Sequence, residues 1–347
     1  MVNLNDENVI KLLDPQGTLS STDQLIQQYK TAWKEVESLS ITVDYSTRTS
    51  VVFCGMGASI YGGLVVKSLL GPQAPCPMEI VSDYHIPSYV NHDTVVVLTS
   101  YSGSTEEVLS CAQEALSKNA KLIILTKGGA LAQFAKDHGV PSYIFDGKLN
   151  PAGVPRLGNG YTIVGLLGLL NKTRVIDLEE GEIAISLTRL SEKNAELKKT
   201  ALSVSDKLLE KAPVIITAEH LSGNAHILRN QLHETSKSFA SHFLIPDLNH
   251  HLMEGLAFPK DLPLYFIILN SPNFSPKNKK RIELTTEVIR KNNHPVYIFQ
   301  TTGQSLYDDF FEMLNFGSFL TLYLGLRYEQ NPAVNPWVDY FKKHLEE

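Results

Sequence analysis

Thr94-Val95-Val96-Val97-Leu98-Thr99, followed at once by Ser100-Tyr101-Ser102-Gly103-Ser104-Thr105, decides the fold. The first six residues carry no charge and are mostly β-branched, the pattern of a strand buried on both faces of a parallel sheet. The hydroxyl-rich turn then opens a helix over 105–117. The same grammar runs outward in both directions. Upstream, strand 50–54, helix 59–70 and strand 78–82 follow an amphipathic helix over 22–39 that Ser21 or Thr22 would cap. Downstream come strand 121–126, helix 131–138 and strand 142–145. Strands alternating with helices of about a dozen residues imply βαβ units and a parallel sheet.

The Pro- and Gly-rich stretch 150–159 closes this lobe, and an apolar helix over 161–170 follows. A charged helical stretch, 178–209, reads as a connector. The alternation then resumes with strand 214–217, helix 224–237, strands 241–245 and 264–269, helix 277–291, strand 294–299 and a long helix 306–328. An amphipathic helix over 337–345 ends the chain. The expected class is α/β, with two doubly wound, flavodoxin-like parallel-sheet lobes. The expected domains are 1–175 and 176–347.

Composition narrows the function classes. The 347 residues are 43% apolar and 20% charged, with net charge -6. That balance gives no general basic field for nucleic acid or anionic membrane, so an anionic substrate needs a local site. Cys54, Cys76 and Cys111 lack metal-ligand spacing and read as reduced thiols. Residues 1–7 have neither a basic start nor an apolar stretch, so no signal peptide and no membrane span are expected, and the cytoplasm is the expected location.

In doubly wound sheets, ligands bind outside the carboxyl ends of the strands. Three turns occupy such places: Gly55-Met56-Gly57-Ala58-Ser59, Ser100 to Thr105, and Thr126-Lys127-Gly128-Gly129-Ala130. The middle turn is the most informative. A phosphate dianion only accepts hydrogen bonds, so it needs converging donors. Hydroxyls of Ser100, Ser102, Ser104 and Thr105 supply some, and the N–H groups of a helix start supply others. Gly103 would let the backbone approach closely. The competing account is a well-capped helix, but one capping residue suffices for that. A dinucleotide fingerprint fails because Ile60 stands where a third glycine belongs, and a P-loop lacks its Gly-Lys-Ser/Thr.

These segments together resemble the sugar isomerase (SIS) domain family, and within it the bifunctional phosphoglucose/phosphomannose isomerases. The resemblance rests on Gly55-Met56-Gly57-Ala58-Ser59, Ser100 to Glu107, Gly128-Gly129-Ala130-Leu131, Val154-Pro155-Arg156 with Gly160-Tyr161, Gln231 to Lys237, Asn249-His250 and Val338 to Lys342. They occur in the family's order along nearly the whole chain. The resemblance implies a homodimer with two SIS lobes and a phosphorylated hexose as substrate. It implies interconversion of glucose 6-phosphate or mannose 6-phosphate with fructose 6-phosphate, with no metal or organic cofactor and no nucleic-acid or membrane partner.

It also implies roles. Ser59, Ser100, Ser102, Thr105 and Gly57 would hold the phosphate. Glu234 would be the base of a cis-enediol proton transfer; spacing alone favours a surface glutamate paired with Lys237 or Lys211, and the resemblance reverses that. Arg156 would stabilise the enediolate, since a guanidinium stays cationic; a structural ion pair is the plainer account. His250 would assist ring opening from the partner subunit's side, with His251 as competitor. Lys342 would assist there too, with Lys343 beside it. The pattern departs from the family at Ser104, Lys127, His233 and His251-Leu252, where Asn-Glu usually follows the histidine; Glu254 could replace that missing carboxylate. A non-catalytic phosphosugar-binding SIS protein is the alternative.

Overall fold

The computed structural model describes residues 2–4, 6–179 and 181–345. Three helices lead in: α1 (Glu7–Leu13), α2 (Thr18–Asp23) and α3 (Leu25–Ser38). The expected helix from Thr22 is therefore two helices, and neither Ser21 nor Thr22 caps one. The buried Asp14 carboxylate accepts from the N–H groups of Thr18 and Leu19, each at 2.8 Å, and so starts helical structure earlier. Leu25, Tyr29, Ala32 and Val36 form the buried face of α3.

The first sheet follows through β1 (Ser50–Cys54), α4 (Tyr61–Leu70), β2 (Met78–Val81), β3 (Thr94–Ser100), α5 (Glu106–Ser117), β4 (Lys121–Thr126), α6 (Gly129–Asp137) and β5 (Ser142–Ile144). The order is β2-β1-β3-β4-β5, all parallel. Every residue of β3 is buried, which fits its charge-free sequence. Helix α7 (Gly165–Lys172) is preceded by a wide π-type turn, Gly160–Val164.

After α8 (Glu182–Lys207), the second sheet is built from β6 (Ala212–Ala218), α9 (Ser222–Glu234), β7 (Ser241–Ile245), α10 (Leu252–Gly255), β8 (Leu264–Asn270), α11 (Pro276–Lys291) and β9 (Val296–Gln300). Its order, β7-β6-β8-β9, is again parallel and repeats that of the first four strands of the other sheet. The expected class of two doubly wound lobes is the observed one. Helix α12 (Leu306–Arg327) runs buried almost throughout, and α13 (Pro336–Leu345) ends the described chain. Helix α8 is more than a connector. It packs along α12, burying Leu187, Leu190, Leu197 and Ala201, and ties to it through Arg189–Asp308 at 2.9 Å and the Lys193–Glu312 ion pair. No helix among the described residues is long and apolar enough to cross a membrane.

Each sheet has a switch point, between β1 and β3 and between β6 and β8. The two are furnished differently. In the second, the chain's own carboxylates take the donors. Buried Asp309 Oδ2 is 2.5 Å from Ser271 Oγ, 2.9 Å from Asn273 Nδ2 and 3.0 Å from His220 Nε2. Glu219 accepts from Ser275 N at 3.0 Å, Ser275 Oγ at 2.6 Å and Asn278 Nδ2 at 2.6 Å, at the start of α11. The first switch point presents hydroxyls and glycine instead.

Candidate active site

Strand β1 runs into a single 3-10 turn, Gly57–Ile60, that carries Ser59. Buried Ser59 accepts from Tyr101 N at 3.0 Å, which fastens this turn to the one after β3. Ser100, the last residue of β3, lies 2.7 Å from Thr105 Oγ1 and accepts from Gly103 N at 3.0 Å. Exposed Ser102 accepts from Ser104 N at 3.3 Å and Ser104 Oγ at 3.1 Å. Gly57 has φ +53, with open space where a side chain would stand. Ser59, Ser100, Ser102, Thr105 and Gly57 thus share two adjoining turns.

The capping account of this turn fails. Thr105 occupies the N-cap position of α5, yet its side chain accepts no N–H of the first turn. Its hydroxyl pairs with Ser100 instead. The first-turn N–H groups and the positive end of the helix dipole are left for an acceptor from outside the helix. Gly103 serves a purpose that its sequence does not suggest. At φ +75, a Cβ there would sit 1.7 Å from Gly128 O. Its bareness therefore admits the loop after β4.

A chain of contacts runs from this turn to Arg156. The Tyr101 hydroxyl accepts from Asn150 Nδ2 at 2.9 Å, and the same nitrogen donates to Val154 O at 2.8 Å. Gly158 packs so closely on the Tyr101 ring that a Cβ would lie 2.3 Å from it. Buried Gln28 of α3 clasps the far side, donating to Leu149 O and Leu157 O at 2.9 Å each. Arg156 is thereby held on a short turn, Pro155–Leu157, which packs against the turn carrying Ser59.

Glu234 is the last residue of α9, earlier than the expected end at Lys237. Thr235 and Ser236 meet α12 there: Ser236 Oγ donates to Thr321 O at 2.7 Å, and a Cβ on Gly325 would lie 2.6 Å from Thr235 O. Lys237 turns left-handed, with φ +56. This anchorage aims Glu234 at Arg156, whose Nη1 lies 3.2 Å from Glu234 Oε2. The Arg156 side chain is 1% exposed and that of Glu234 29%. Lys237 bonds only the backbone oxygen of Glu234, at 2.5 Å, so neither Lys237 nor Lys211 is the carboxylate's partner among the described residues.

The electrostatics follow from burial. Desolvation pulls Arg156 below its usual value, and Glu234 pulls it back up. Burial lowers Lys237 to about 8, with Arg156 adding to the effect. Tyr61, at the start of α4, is fully buried; that burial, then Glu234, hold its pKa far above the usual range.

His250 and Lys342 stand apart. His250 is exposed on the 3-10 turn Asp247–His250, and Lys342 is exposed on α13. No hydrogen bond or ion pair among the described residues joins either to Glu234 or Arg156. His251 pairs with Asp247 at 3.3 Å, not with Glu254. Four residues of the site were not legible as such in the sequence: Tyr61, Thr235, Lys237 and Asn335. Asn335 is the least visible, since it is 101 residues from Glu234 along the chain yet its amide faces the carboxylate. Among the described residues, no group of three or more His, Cys, Asp and Glu could hold a metal ion.

Two family models match parts of the chain. Residues 45–141 match the SIS domain family, and residues 197–345 match the bacterial phospho-glucose isomerase C-terminal SIS domain. A bifunctional phosphoglucose/phosphomannose isomerase of Caldicellulosiruptor bescii is 30% identical over 94% of this chain and 98% of its own. One of the same name from Thermoplasma volcanium is 28% identical over 85% and 91%. Among solved structures, a hypothetical protein of Thermus thermophilus superposes with a TM-score of 0.72 at 18% identity, over 95% of this chain and 90% of that one. The glucosamine-6-phosphate deaminase of Thermotoga maritima does so at 0.66 and 14%, over 91% and 98%.

Proposed function

The chain belongs to the bifunctional phosphoglucose/phosphomannose isomerase family, and from that premise we propose how its residues carry the reaction. It is a sugar-phosphate isomerase that interconverts hexose 6-phosphates. The alternative of a non-catalytic phosphosugar-binding protein is not favoured.

The substrate phosphate rests on the turns after β1 and β3, against the hydroxyls of Ser59, Ser100, Ser102 and Thr105, with Gly57 leaving room. Its charge meets the start of α5. The sugar then extends toward Glu234. After ring opening, the Glu234 carboxylate takes the proton from C2 of the aldose, leaving a cis-enediolate with its charge on O1; the hydroxyl proton of O2 passes to O1, and the carboxylate returns its own proton to C1 to give the ketose. Two aldose epimers at C2 share that enediolate, which accounts for one site serving both. Arg156 holds the carboxylate and places a fixed positive charge beside the developing oxyanion. Its donors are engaged by protein, so its contribution is the field it exerts across Glu234.

His250 moves the ring-opening proton from a second copy of the chain, with Lys342 assisting. What supports the second copy is the exposed position of His250, away from Glu234 and Arg156 of its own chain. The exposed apolar side chains of Trp337 and Phe341 on α13 also suit a contact between subunits. A cytoplasmic location goes with three free thiols.

The observation that carries this reading is the buried Arg156 on Glu234 beside the serine turns. The test is to follow fructose 6-phosphate formation from mannose 6-phosphate and glucose 6-phosphate. Glu234→Gln should abolish turnover of both while inorganic phosphate still protects the protein against heat. Near-normal turnover by that variant would remove Glu234 from the role.

A further inference from the structure

Arg156 has five N–H donors in a planar fork, a shape that ordinarily grips a carboxylate by both oxygens. Here it does not. Nε donates to Thr235 Oγ1 at 2.9 Å. Nη2 donates to Pro332 O, to Ala333 O at 3.3 Å and to Glu234 O at 3.4 Å. Nη1 alone reaches the carboxylate, at Oε2. No hydrogen bond among the described residues falls on Glu234 Oε1.

The remaining Nη1 hydrogen meets Asn335. With its amide oxygen toward Arg156, Asn335 accepts from Nη1 at 3.0 Å and donates to Glu234 O at 3.2 Å and Val334 O at 2.9 Å. Turned the other way, its nitrogen faces Glu234 Oε2 at 3.4 Å. The first orientation satisfies both polar atoms of the amide. Asn335 also begins α13, since Asp339 N donates to its carbonyl at 3.0 Å and Pro336 follows it. An asparagine at that place usually spends its side chain on the N–H groups of the helix it starts. This one is spent on Arg156 and Glu234. The strap that delivers it is anchored: Ala333 N donates to Asn331 Oδ1 at 3.0 Å, and Asn331 Nδ2 to Gln16 Oε1 at 2.9 Å.

We propose that Asn335 is a positioning residue for the isomerase base: it holds the Arg156 guanidinium in the plane in which Nη1 alone reaches Glu234, so that Oε1 stays open to the substrate proton. The inference rests on Glu234 being the base. A carboxylate gripped through both oxygens by a guanidinium favours its ionised form and has no uncommitted oxygen aimed at the sugar. The carbonyls of Pro332 and Ala333 occupy Nη2, the second nitrogen such a grip would need, and Asn335, accepting from Nη1, fixes the guanidinium in the plane that keeps Nη2 on them.

The experiment compares Asn335→Leu, Asn335→Ser and Asn335→Gln with wild type, reading kcat and KM on mannose 6-phosphate across pH 5 to 9, with melting curves alongside. For Asn335→Leu, kcat should fall about ten-fold or more while KM stays within about three-fold, the pattern of a loss felt in the transition state. The acid limb of the kcat profile should move to lower pH, because a guanidinium no longer held in that plane can turn Nη2 onto the carboxylate. Asn335→Ser should shift it less, and Asn335→Gln should recover part of the rate. An unmoved acid limb in Asn335→Leu, whatever its rate, overturns the proposal and leaves Asn335 a structural residue. If Asn335→Leu does not fold, Asn335→Ser carries the same test. Glu234→Gln separates the two readings: if it stays active, the base assignment fails, and if it is dead while Asn335→Leu matches wild type, only the role of Asn335 fails.

Discussion

Arg156 Nη1 lies 3.2 Å from Glu234 Oε2, and the guanidinium that makes this contact is walled off by Thr235 and the strap at Pro332 and Ala333. The pair joins the two lobes: Arg156 comes from the turn closing the first, Glu234 from the first helix of the second. Removing one member of such a buried pair leaves its acceptors unpaired. Arg156→Met should therefore cost about 3 kcal/mol of stability and most of the activity. Urea unfolding checks the first, and an assay at saturating substrate checks the second. Arg156→Lys should restore charge but not the fork, and recover stability only in part.

The serine turns should behave differently, since on the proposed reading they hold the substrate phosphate and do not join the two lobes. Ser100→Ala removes the acceptor of Gly103 N and the partner of Thr105 Oγ1. It should raise KM for hexose phosphates by about ten-fold, roughly one charge-assisted hydrogen bond, with a smaller change in kcat. Gly103→Ala should instead impair folding, because its methyl group would overlap Gly128 O and its backbone is left-handed. A stable, well-folded Gly103→Ala protein would contradict the loop contact described for it.

How far these features were legible depended on how local they were. The parallel sheets were readable because β3 and β8 are charge-free runs, and a strand buried on both faces has few other fates. The hydroxyl turn was readable because four donors around one glycine exceed what capping needs. The contact of Gly103 with Gly128 left no signal because Gly128 lies in a different loop. Helix α2 was missed because its N-cap position is Gly17 and its first N–H groups go to the buried carboxylate of Asp14, reached across a turn. Asn335 carries no signal at all: an asparagine before a proline looks like any helix start, and only the third dimension sets it on Arg156.

A pH-sensitive cluster lies farther up α9. Arg229 Nη2 is 2.9 Å from His226 Nε2, Arg229 Nη1 is 3.4 Å from His242 Nδ1, and the two imidazoles are 5.4 Å apart. Burial first, then Arg229, depress His226 to about 4, and both causes lower His242 as well. Both rings accept from the guanidinium and so stay neutral. Unfolded, a histidine binds its proton near pH 6.5. The contribution is therefore complete above about pH 6.5 and lost as pH falls toward 4, where the folded ring protonates. Stability measured by urea unfolding should fall over that window, and His226→Gln should flatten the slope. An equal slope in the variant would place the acid sensitivity elsewhere.

Lys237 offers the complementary test on the alkaline side. Its ammonium donates to Glu234 O at 2.5 Å, and burial with the nearby Arg156 lowers it to about 8. With Glu234 as the proposed base, raising the pH through 8 removes a positive charge next to it, where on that reading the charge favours the enediolate-like transition state. The rate at saturating substrate should therefore step down through one ionisation near pH 8, and Lys237→Met should lack that step while being slower at about pH 7. Stability should move the opposite way. Between about pH 8 and 10.4 the unfolded chain keeps the proton that the folded chain has released, so wild type gains stability relative to Lys237→Met as pH rises. A rate step whose midpoint coincides with the onset of the stability gain would tie both to this ammonium. A step that persists in Lys237→Met would assign it to another group.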